Sequence, residues 1–338
     1  MAAAAPTTDE VAVVLVAVIV VGHDSARWLP ECFTTLGSSS YRNTLVLFVD
    51  NASTDGSCEL VTRSFPAVRV RRNTGNLGFA GACNIAIREA LAEGARYVFL
   101  VNPDTRTPAH LVAGLVTFME HNTWCGISGP LQNAYGAGWA TEDELLNDWS
   151  RAAITAAGRH VFHLWRDDWS PLRPLPPPGA SVVHHSYVQG AALFARASVL
   201  SEVGLLDELY HSFYEELDLC RRARTAGHGV VLLPGLRIEH AGDSTGPPSA
   251  YRRRHMARNR YLYLLTEPAG RRAVTAVAAR WLSADVASAF RGTGTMVTNP
   301  KELATMVGWL VGHAPALWAR RRSSMQSRSS GSPGRSRR

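Results

Sequence analysis

Thr44-Leu45-Val46-Leu47-Phe48-Val49-Asp50-Asn51-Ala52-Ser53-Thr54-Asp55-Gly56-Ser57 joins an apolar run directly to a cluster of acid, amide and hydroxyl groups. The run reads as a buried parallel strand, and open α/β sheets bind ligands at the carboxyl ends of such strands. Tyr97-Val98-Phe99-Leu100-Val101 ends the same way, in Asn102-Pro103-Asp104. Two strand ends carrying aspartate point to one shared polar site.

Around these runs, strand-like and helix-like segments alternate, which predicts βαβ units and a mostly parallel sheet. The apolar run Val11 to Val21 reads as the first strand, ending at Gly22-His23-Asp24-Ser25, with a helix over Ala26 to Leu36. A short helix near Ser57 to Ser64 follows the second strand, and a third strand spans Ala67 to Arg71. Next come a glycine-rich turn, Asn73 to Gly81, and a helix from Ala82 to Glu93 with Gly94 as its C-cap. After the fourth strand, Pro108 opens a helix where its missing N–H costs little. The pattern breaks from 135 to 179, an irregular insertion rich in Trp, Arg and Pro. Order returns with a strand over Ser186 to Ala195, helices over Ala197 to Val203 and Glu215 to Ala226, and a strand from Val230 to Ile238 ending at Glu239-His240. Beyond Tyr251 the chain reads as helical.

Length and composition bound the function classes. A chain of 338 residues, 46% hydrophobic, is long enough for one large domain with an appendage, which excludes disorder throughout. Its formal charge of +7 is matched by seven arginines between 320 and 338, a segment without acids, so the rest is formally neutral. A nucleic-acid partner therefore has no support in the folded body. Five cysteines without a CxxC pair suggest neither a disulfide framework nor a zinc site, and a reducing cytoplasm is expected. The run Val11 to Val21 falls short of the roughly 20 residues that span a bilayer. Asp9 and Glu10 before it exclude a signal peptide's basic flank. Leu282 to Phe290 and Leu303 to Trp318, followed by clustered arginine, suit a peripheral membrane contact or a helical cap with a solvated tail.

Taken singly, each strand-end carboxylate is accounted for by a turn or helix cap. As a set, Asp50, Asp104, Glu215-Glu216 and His240 all stand at element boundaries. Asp104 and His240 supply the oxygen and imidazole donors that suit Mn²⁺ or Mg²⁺ beside a phosphate. Gly75, Gly78 and Gly81 give GxxGxxG, not the GxGxxG of a dinucleotide fold.

These residues resemble the family-2 glycosyltransferases with the GT-A nucleotide-diphospho-sugar transferase fold, in particular their rhamnosyltransferase-like branch. The resemblance runs from about Val14 to Thr266 and rests on VDNASTDGS, NTGNLGFAGACN, FLVNPDT, VQGAALFARASVL with GLLDE, FYEELDLCRRAR and IEHAGDST, in that order. It implies a mixed, mostly parallel sheet flanked by helices over residues 11–266. A flexible start (1–10), C-terminal helices (267–319) and a disordered tail (320–338) complete the expected organisation.

Carried over by position, the resemblance implies that Asp50 bonds the pyrimidine, with Asn51 and Ser53 shaping the turn. Asn76, Gly78 and Gly81 line the nucleotide. Asp104 is the last acid of the family's DxD metal motif, and Asn102 stands where the first acid would be. His240 completes the metal and diphosphate site, and Gly190-Ala191 forms the acceptor-side turn. Glu216 is the implied catalytic base with Glu215 in support. Many members carry aspartate at the second place, so Glu215 stays open as the base. Arg258 and Arg260 resemble a loop that closes over the diphosphate, although either singly suits a surface helix. Asp218 reads as a structural partner of Arg221 or Arg222.

The implied reaction is an inverting transfer of rhamnose or a similar sugar from a dTDP- or UDP-sugar to an acceptor hydroxyl. The acceptor is a lipid-linked glycan or a small natural product, and a divalent cation assists. Two alternatives remain: a nucleotidyltransferase, against which Gly22-His23-Asp24-Ser25 offers no basic residue, and a non-catalytic membrane-associated protein that binds sugar nucleotide.

Overall fold

The computed structural model describes residues 13–134, 182–185, 187–242, 249–266, 271–291 and 297–320. The expected flexible start, the insertion at 135–179 and the arginines beyond Arg320 lie outside the described residues.

In chain order the elements are β1 (Val16–Gly22), α1 (Leu29–Gly37), β2 (Thr44–Asp50), α2 (Ser57–Ser64), β3 (Arg69–Arg72), α3 (Gly78–Ala92), β4 (Tyr97–Val101), β5 (Thr105–Arg106) and α4 (Leu111–His121). Then follow β6 (Cys125–Ala134), β7 (Val183–His184), β8 (Ala192–Arg196), α5 (Ala197–Val203), a 3₁₀ turn (Glu208–Tyr210), α6 (Glu215–Thr225) and β9 (Gly229–His240). Helices α7 (Ala250–Leu265), α8 (Arg271–Arg291) and α9 (Pro300–Gly312) follow, and residues 314–320 are also helical.

The strands form one sheet in the order β3-β2-β1-β4-β8-β6-β9-β5, with β7 against β9. β3, β2, β1 and β4 run parallel, which brings Gly22 and Asp50 into register at one edge of the sheet. β8 is antiparallel to β4 and β6, and β9 is parallel to β6. All seven residues of β1 are buried, as expected of a central strand covered on both faces.

One face of the sheet packs against α3 and α6 through residues such as Ile19, Leu47, Ala86, Ile87 and Leu219. The other packs against α1 and α4 through Val18, Phe48, Leu29, Phe33 and Leu115. Leu29, Cys32, Phe33 and Leu36 line the buried stripe of α1, whose Pro30 sits in the first turn. Each fully buried aliphatic of this kind contributes about 1.5–3 kcal/mol. Cys32, Cys83, Cys125 and Cys220 are buried in these layers, and desolvation pushes the thiols of Cys32, Cys125 and Cys220 up to about 12.

Several expectations shift. α3 begins at Gly78 rather than Ala82, so the glycine turn runs straight into the helix. α4 starts at Leu111, with Pro108 in the preceding turn, where its carbonyl accepts from Leu111 N. β8 starts at Ala192, leaving 187–191 as connecting backbone. β6 was not foreseen at all. Gly94, at φ +76, does end α3 as a C-cap, with Gly94 N bonded to Leu91 O.

α7 joins two further apolar clusters. With α8 and α9 it buries Ala257, Tyr261, Leu264, Val274, Val277, Trp281 and Met306. With the 3₁₀ turn and the start of α6 it buries Tyr210, Tyr214, Leu262 and Tyr263. α9 opens on a reciprocal cap: Asn299 accepts from Glu302 N at 3.0 Å while Glu302 reaches back to Thr298 N at 2.8 Å.

Candidate active site

The carboxyl ends of β1 and β2 hold the first part of the site. Asn51 N bonds Gly22 O at 2.8 Å, tying the two strand ends together. The Asn51 side chain then uses its full capacity on the glycine turn. Its Nδ2 donates to Asn76 Oδ1 at 2.9 Å and Gly78 O at 3.1 Å, and its Oδ1 accepts from Asn73 Nδ2 and Leu77 N, both at 3.0 Å. Asn51 and Asn76 are thereby brought together as a clasp. Ser53 Oγ accepts from Asp24 N at 3.0 Å, so Ser53 does shape the turn.

Asp50 is fully buried. Its Oδ1 accepts from Ser53 N at 3.3 Å, and its Oδ2 has no hydrogen bond among the described residues but lies 3.5 Å from Arg72 Nε. Arg72 was missed in the sequence, where it is one of several arginines in an exposed strand.

Gly78, at φ +73, meets the 211–212 segment. A Cβ built there would lie 2.3 Å from His211 O, and Ala80 N bonds that same carbonyl at 3.1 Å. Only glycine fits both the left-handed backbone and the close approach. Gly81 lies on α3 with Leu77 Cβ 3.1 Å from where its own Cβ would be.

Asn102, Asp104 and His240 come together because β5 pairs with the end of β9, Thr105 opposite His240. Asp104 Oδ1 lies 3.3 Å from His240 Nε2, and Asn102 Nδ2 is also 3.3 Å from that nitrogen. Gly242 N donates to Asp104 Oδ2 at 3.0 Å. Burial alone would raise the Asp104 pKa, but the bond and charge of His240, with the Gly242 N–H, hold it below its ordinary value. Among the described residues no group of three or more His, Cys, Asp or Glu side chains forms a complete metal cage. One carboxylate, one imidazole and a neighbouring amide nonetheless fit a Mg²⁺- or Mn²⁺-type ion that takes its remaining ligands from phosphate and water.

Asn102 N bonds Ala191 O at 3.1 Å, which links this corner to Gly190-Ala191. A Cβ on Gly190 would lie 3.2 Å from Phe79 Cε1 and 4.0 Å from Glu216 Cβ. Gly190 is thus wedged between the glycine turn and the acidic pair. Phe79 had no signal in the sequence beyond its place in the turn.

Glu215 and Glu216 open α6. Both stand in its first turn, where the helix N-terminus favours negative charge. Glu215 is buried, Glu216 partly so, and an Oε2 of each is buried without a hydrogen bond among the described residues. Burial, then the charge of Glu216, pushes Glu215 well above the usual carboxylate range. Burial also raises Glu216, to about 7. Two carboxyl groups raised by burial and held this close favour the uncharged form of at least one of them near neutral pH. Asp218 pairs with both Arg221 and Arg222, as expected of a structural ion pair.

The backbone leading into the pair is strained. His211, Phe213 and Tyr214 have φ of 63, 68 and 76. Such residues cost on the order of 1–3 kcal/mol each and persist only where their surroundings hold them. Asn259 of α7, wholly buried, donates from Nδ2 to Tyr210 O at 2.9 Å and to Ser212 O and Phe213 O, both at 2.7 Å. This residue was missed; its only signal was an amide among arginines in an otherwise regular helix.

Arg258 and Arg260 belong to that helix and not to a closing loop. Arg258 donates to Leu209 O at 3.1 Å and Tyr210 O at 2.6 Å and lies 4.3 Å above the Trp309 ring. Burial lowers its pKa to about 10. Arg260 is paired with Asp285 of α8. The two guanidinium groups therefore brace helices, Arg258 on backbone carbonyls and Arg260 on an acid.

Residues 17–158 match the model of the glycosyl transferase family 2. The chain is 25% identical over 270 residues to an N-acetylglucosaminyl-diphospho-decaprenol L-rhamnosyltransferase of Mycobacterium tuberculosis, a match covering 75% of this chain and 85% of the relative. Among solved structures it resembles the mannosyltransferase PcManGT of Pyrobaculum calidifontis in complex with GDP-Man and Mn²⁺. The TM-score is 0.55 at 17% identity, over 93% of this chain and 84% of that one. It also resembles S. aureus TarS 1–349 in complex with UDP-GlcNAc, at a TM-score of 0.53 and 13% identity, over 95% of this chain and 93% of that one. With the sheet order and the strand-end site already described, these likenesses establish a glycosyltransferase GT-A fold, with a match to glycosyl transferase family 2 over residues 17–158 and a sequence that is rhamnosyltransferase-like.

Proposed function

We propose that this glycosyltransferase moves rhamnose or a related sugar from a pyrimidine nucleotide-diphospho-sugar, dTDP-rhamnose first among them, to a hydroxyl of a lipid-linked N-acetylglucosamine acceptor, with inversion. The observation that carries the reading is the chain of contacts from Asp104 and His240, through Asn102 and Ala191, to Gly190 and Glu216. It joins the corner that would face a diphosphate to a buried carboxylate group that suits a base. The rhamnosyltransferase likeness supports the donor and the lipid-linked acceptor.

Glu216 takes the proton of the acceptor hydroxyl. That oxygen bonds to the anomeric carbon as the bond from carbon to the diphosphate oxygen breaks, and the nucleoside diphosphate leaves with the electron pair. A base raised to about 7 by burial is matched to this task near neutral pH. Glu215, keeping its proton, adds no second negative charge beside the attacking oxygen. Asp104 and His240 would hold a divalent cation, which when bound supplies positive charge to the departing diphosphate.

A lipid-linked acceptor calls for a membrane contact. No described helix is long and apolar enough to cross a bilayer. Leu282, Val286 and Phe290 are exposed at four-residue spacing on α8, and the arginine-rich sequence 320–338 follows, which supports an anionic lipid surface as the neighbour of these helices.

Glu216→Gln tests the reading. Transfer to an N-acetylglucosaminyl-diphospho-lipid should collapse by more than about 10³-fold while the nucleotide still binds, the expected loss of a general base with some indirect effect. Unchanged turnover would exclude Glu216 as the base, and turnover only with a soluble acceptor would move the acceptor to the natural-product class.

A further inference from the structure

We propose that Asn259 is a positioning residue for the catalytic base, so that α7 belongs to the catalytic machinery and is not an appended helix. The inference rests on the reading of Glu216 as base and goes beyond it by assigning what holds that base in place.

The segment that delivers Glu215 and Glu216 has three residues in the left-handed region: His211, Phe213 and Tyr214. None is glycine, so nothing local makes this backbone favourable. Ser212 N bonds Tyr210 O at 2.7 Å, a tight reverse turn inside the same stretch. Three carbonyls of this stretch share the two N–H hydrogens of one amide: Asn259 Nδ2 reaches the oxygens of Tyr210, Ser212 and Phe213. Arg258 adds bonds to Leu209 O and Tyr210 O. Asn259 Oδ1 accepts in turn from Arg258 Nε at 2.8 Å, which fixes the amide's orientation with its donors toward the turn.

The chemistry of the position is specific. An aspartate there has the same shape but no donor, and it would face three carbonyl oxygens with a carboxylate. A serine keeps one donor but is too short to reach all three. Asn259 itself touches no substrate in this reading. Its effect travels through the backbone of 210–214 to the first turn of α6, where the base sits beside Gly190 and Phe79. Reacting groups displaced by about an ångström lose on the order of 10²-fold in rate.

The experiment compares Asn259→Asp and Asn259→Ser with the full-length wild type. It reads the kcat and KM for the sugar nucleotide, nucleotide affinity by calorimetry, thermal midpoint, and the carboxyl ¹³C titrations of Glu215 and Glu216. The expected result is a fall in kcat of about 10²-fold or more for Asn259→Asp and less for Asn259→Ser. KM and nucleotide affinity should stay within about threefold, and the Glu216 titration should shift from its wild-type midpoint. Folded variants with wild-type kcat and unmoved carboxyl titrations would overturn the proposal. So would unfolding of both variants, which would make Asn259 a folding residue only. If the wild type turns over no nucleotide sugar, the functional reading fails on its own. The carboxyl titrations then still decide whether Asn259 sets the environment of the pair.

Discussion

Asp104 Oδ1 and His240 Nε2 stand 3.3 Å apart at the meeting of β5 with the last residue of β9, although the sequence places them in separate motifs. Asn102 replaces a possible second acid here, so the anionic contribution to a cation comes from one carboxylate. Asp104→Asn and His240→Ala should each raise the Mn²⁺ concentration for half-maximal turnover by about 10-fold or more, in line with losing a ligand or its partner. A chelator should abolish wild-type transfer, and restored Mn²⁺ should recover it. Full activity in a chelator would exclude a cation at this corner.

In the proposed mechanism Glu215 carries a proton while Glu216 ionises, and burial raises both carboxyl groups. Glutamine copies a protonated glutamate in shape and neutrality, so Glu215→Gln should keep turnover within about 10-fold of wild type, unlike Glu216→Gln. Steady-state kinetics on both variants check this. The reverse order of effects would make Glu215 the base.

Rate and stability should respond to pH in opposite directions. Transfer should rise as pH climbs through about 7, where Glu216 ionises. Because the folded state holds this proton more tightly than the unfolded chain, the contribution of Glu216 to stability is fully present below the ordinary glutamate range of about 4.3 and is lost as pH rises through about 7. The difference in denaturation midpoint between wild type and Glu216→Gln should therefore shift against wild type as pH rises across that window. A difference between wild type and variant that stays constant across the window would contradict the assignment.

Much of this arrangement was legible and some was not, for physical reasons. β1, β2 and β4 declare themselves because a strand covered on both faces must be apolar at every position. β6 does not: Gly126, Ser128, Gly129 and Pro130 dilute its signal, and it exists through its pairing with β9 and β8. The start of α3 was placed late because glycines are poor helix formers, whereas the left-handed Gly78 leads directly into the helix. Asp104 and His240 were recognisable as donors, but their proximity depends on a two-residue ladder between distant segments. Arg260 looked like a phosphate ligand because its partner, Asp285, lies on a helix whose packing no local pattern reveals.

Gly78→Ala sets a methyl against His211 O and forces an L-residue into a left-handed conformation. The combined cost should be about 2–4 kcal/mol, from overpacking and backbone strain together. Chemical denaturation measures it directly. A loss below about 0.5 kcal/mol, the range of a neutral surface change, would show that the turn and the 211–212 segment do not pack as described.

Membrane contact through α8 predicts that Val286→Ser with Phe290→Ser weakens sedimentation with phosphatidylglycerol vesicles by several-fold while leaving transfer to a short, water-soluble acceptor intact. Both side chains are exposed, so the fold should tolerate the change. Equal vesicle binding by wild type and variant would remove this face from the contact.

The grip of Asn259 on the backbone before Glu215 carries a consequence for recombination. A chimera that exchanges acceptor preference by splicing C-terminal helices from another member has a forbidden crossover interval between the start of α6 and Asn259. Junctions after Leu265 inherit a matched lock and key for the turn; junctions inside the interval pair one parent's turn with the other's clasp and should yield folded but silent proteins.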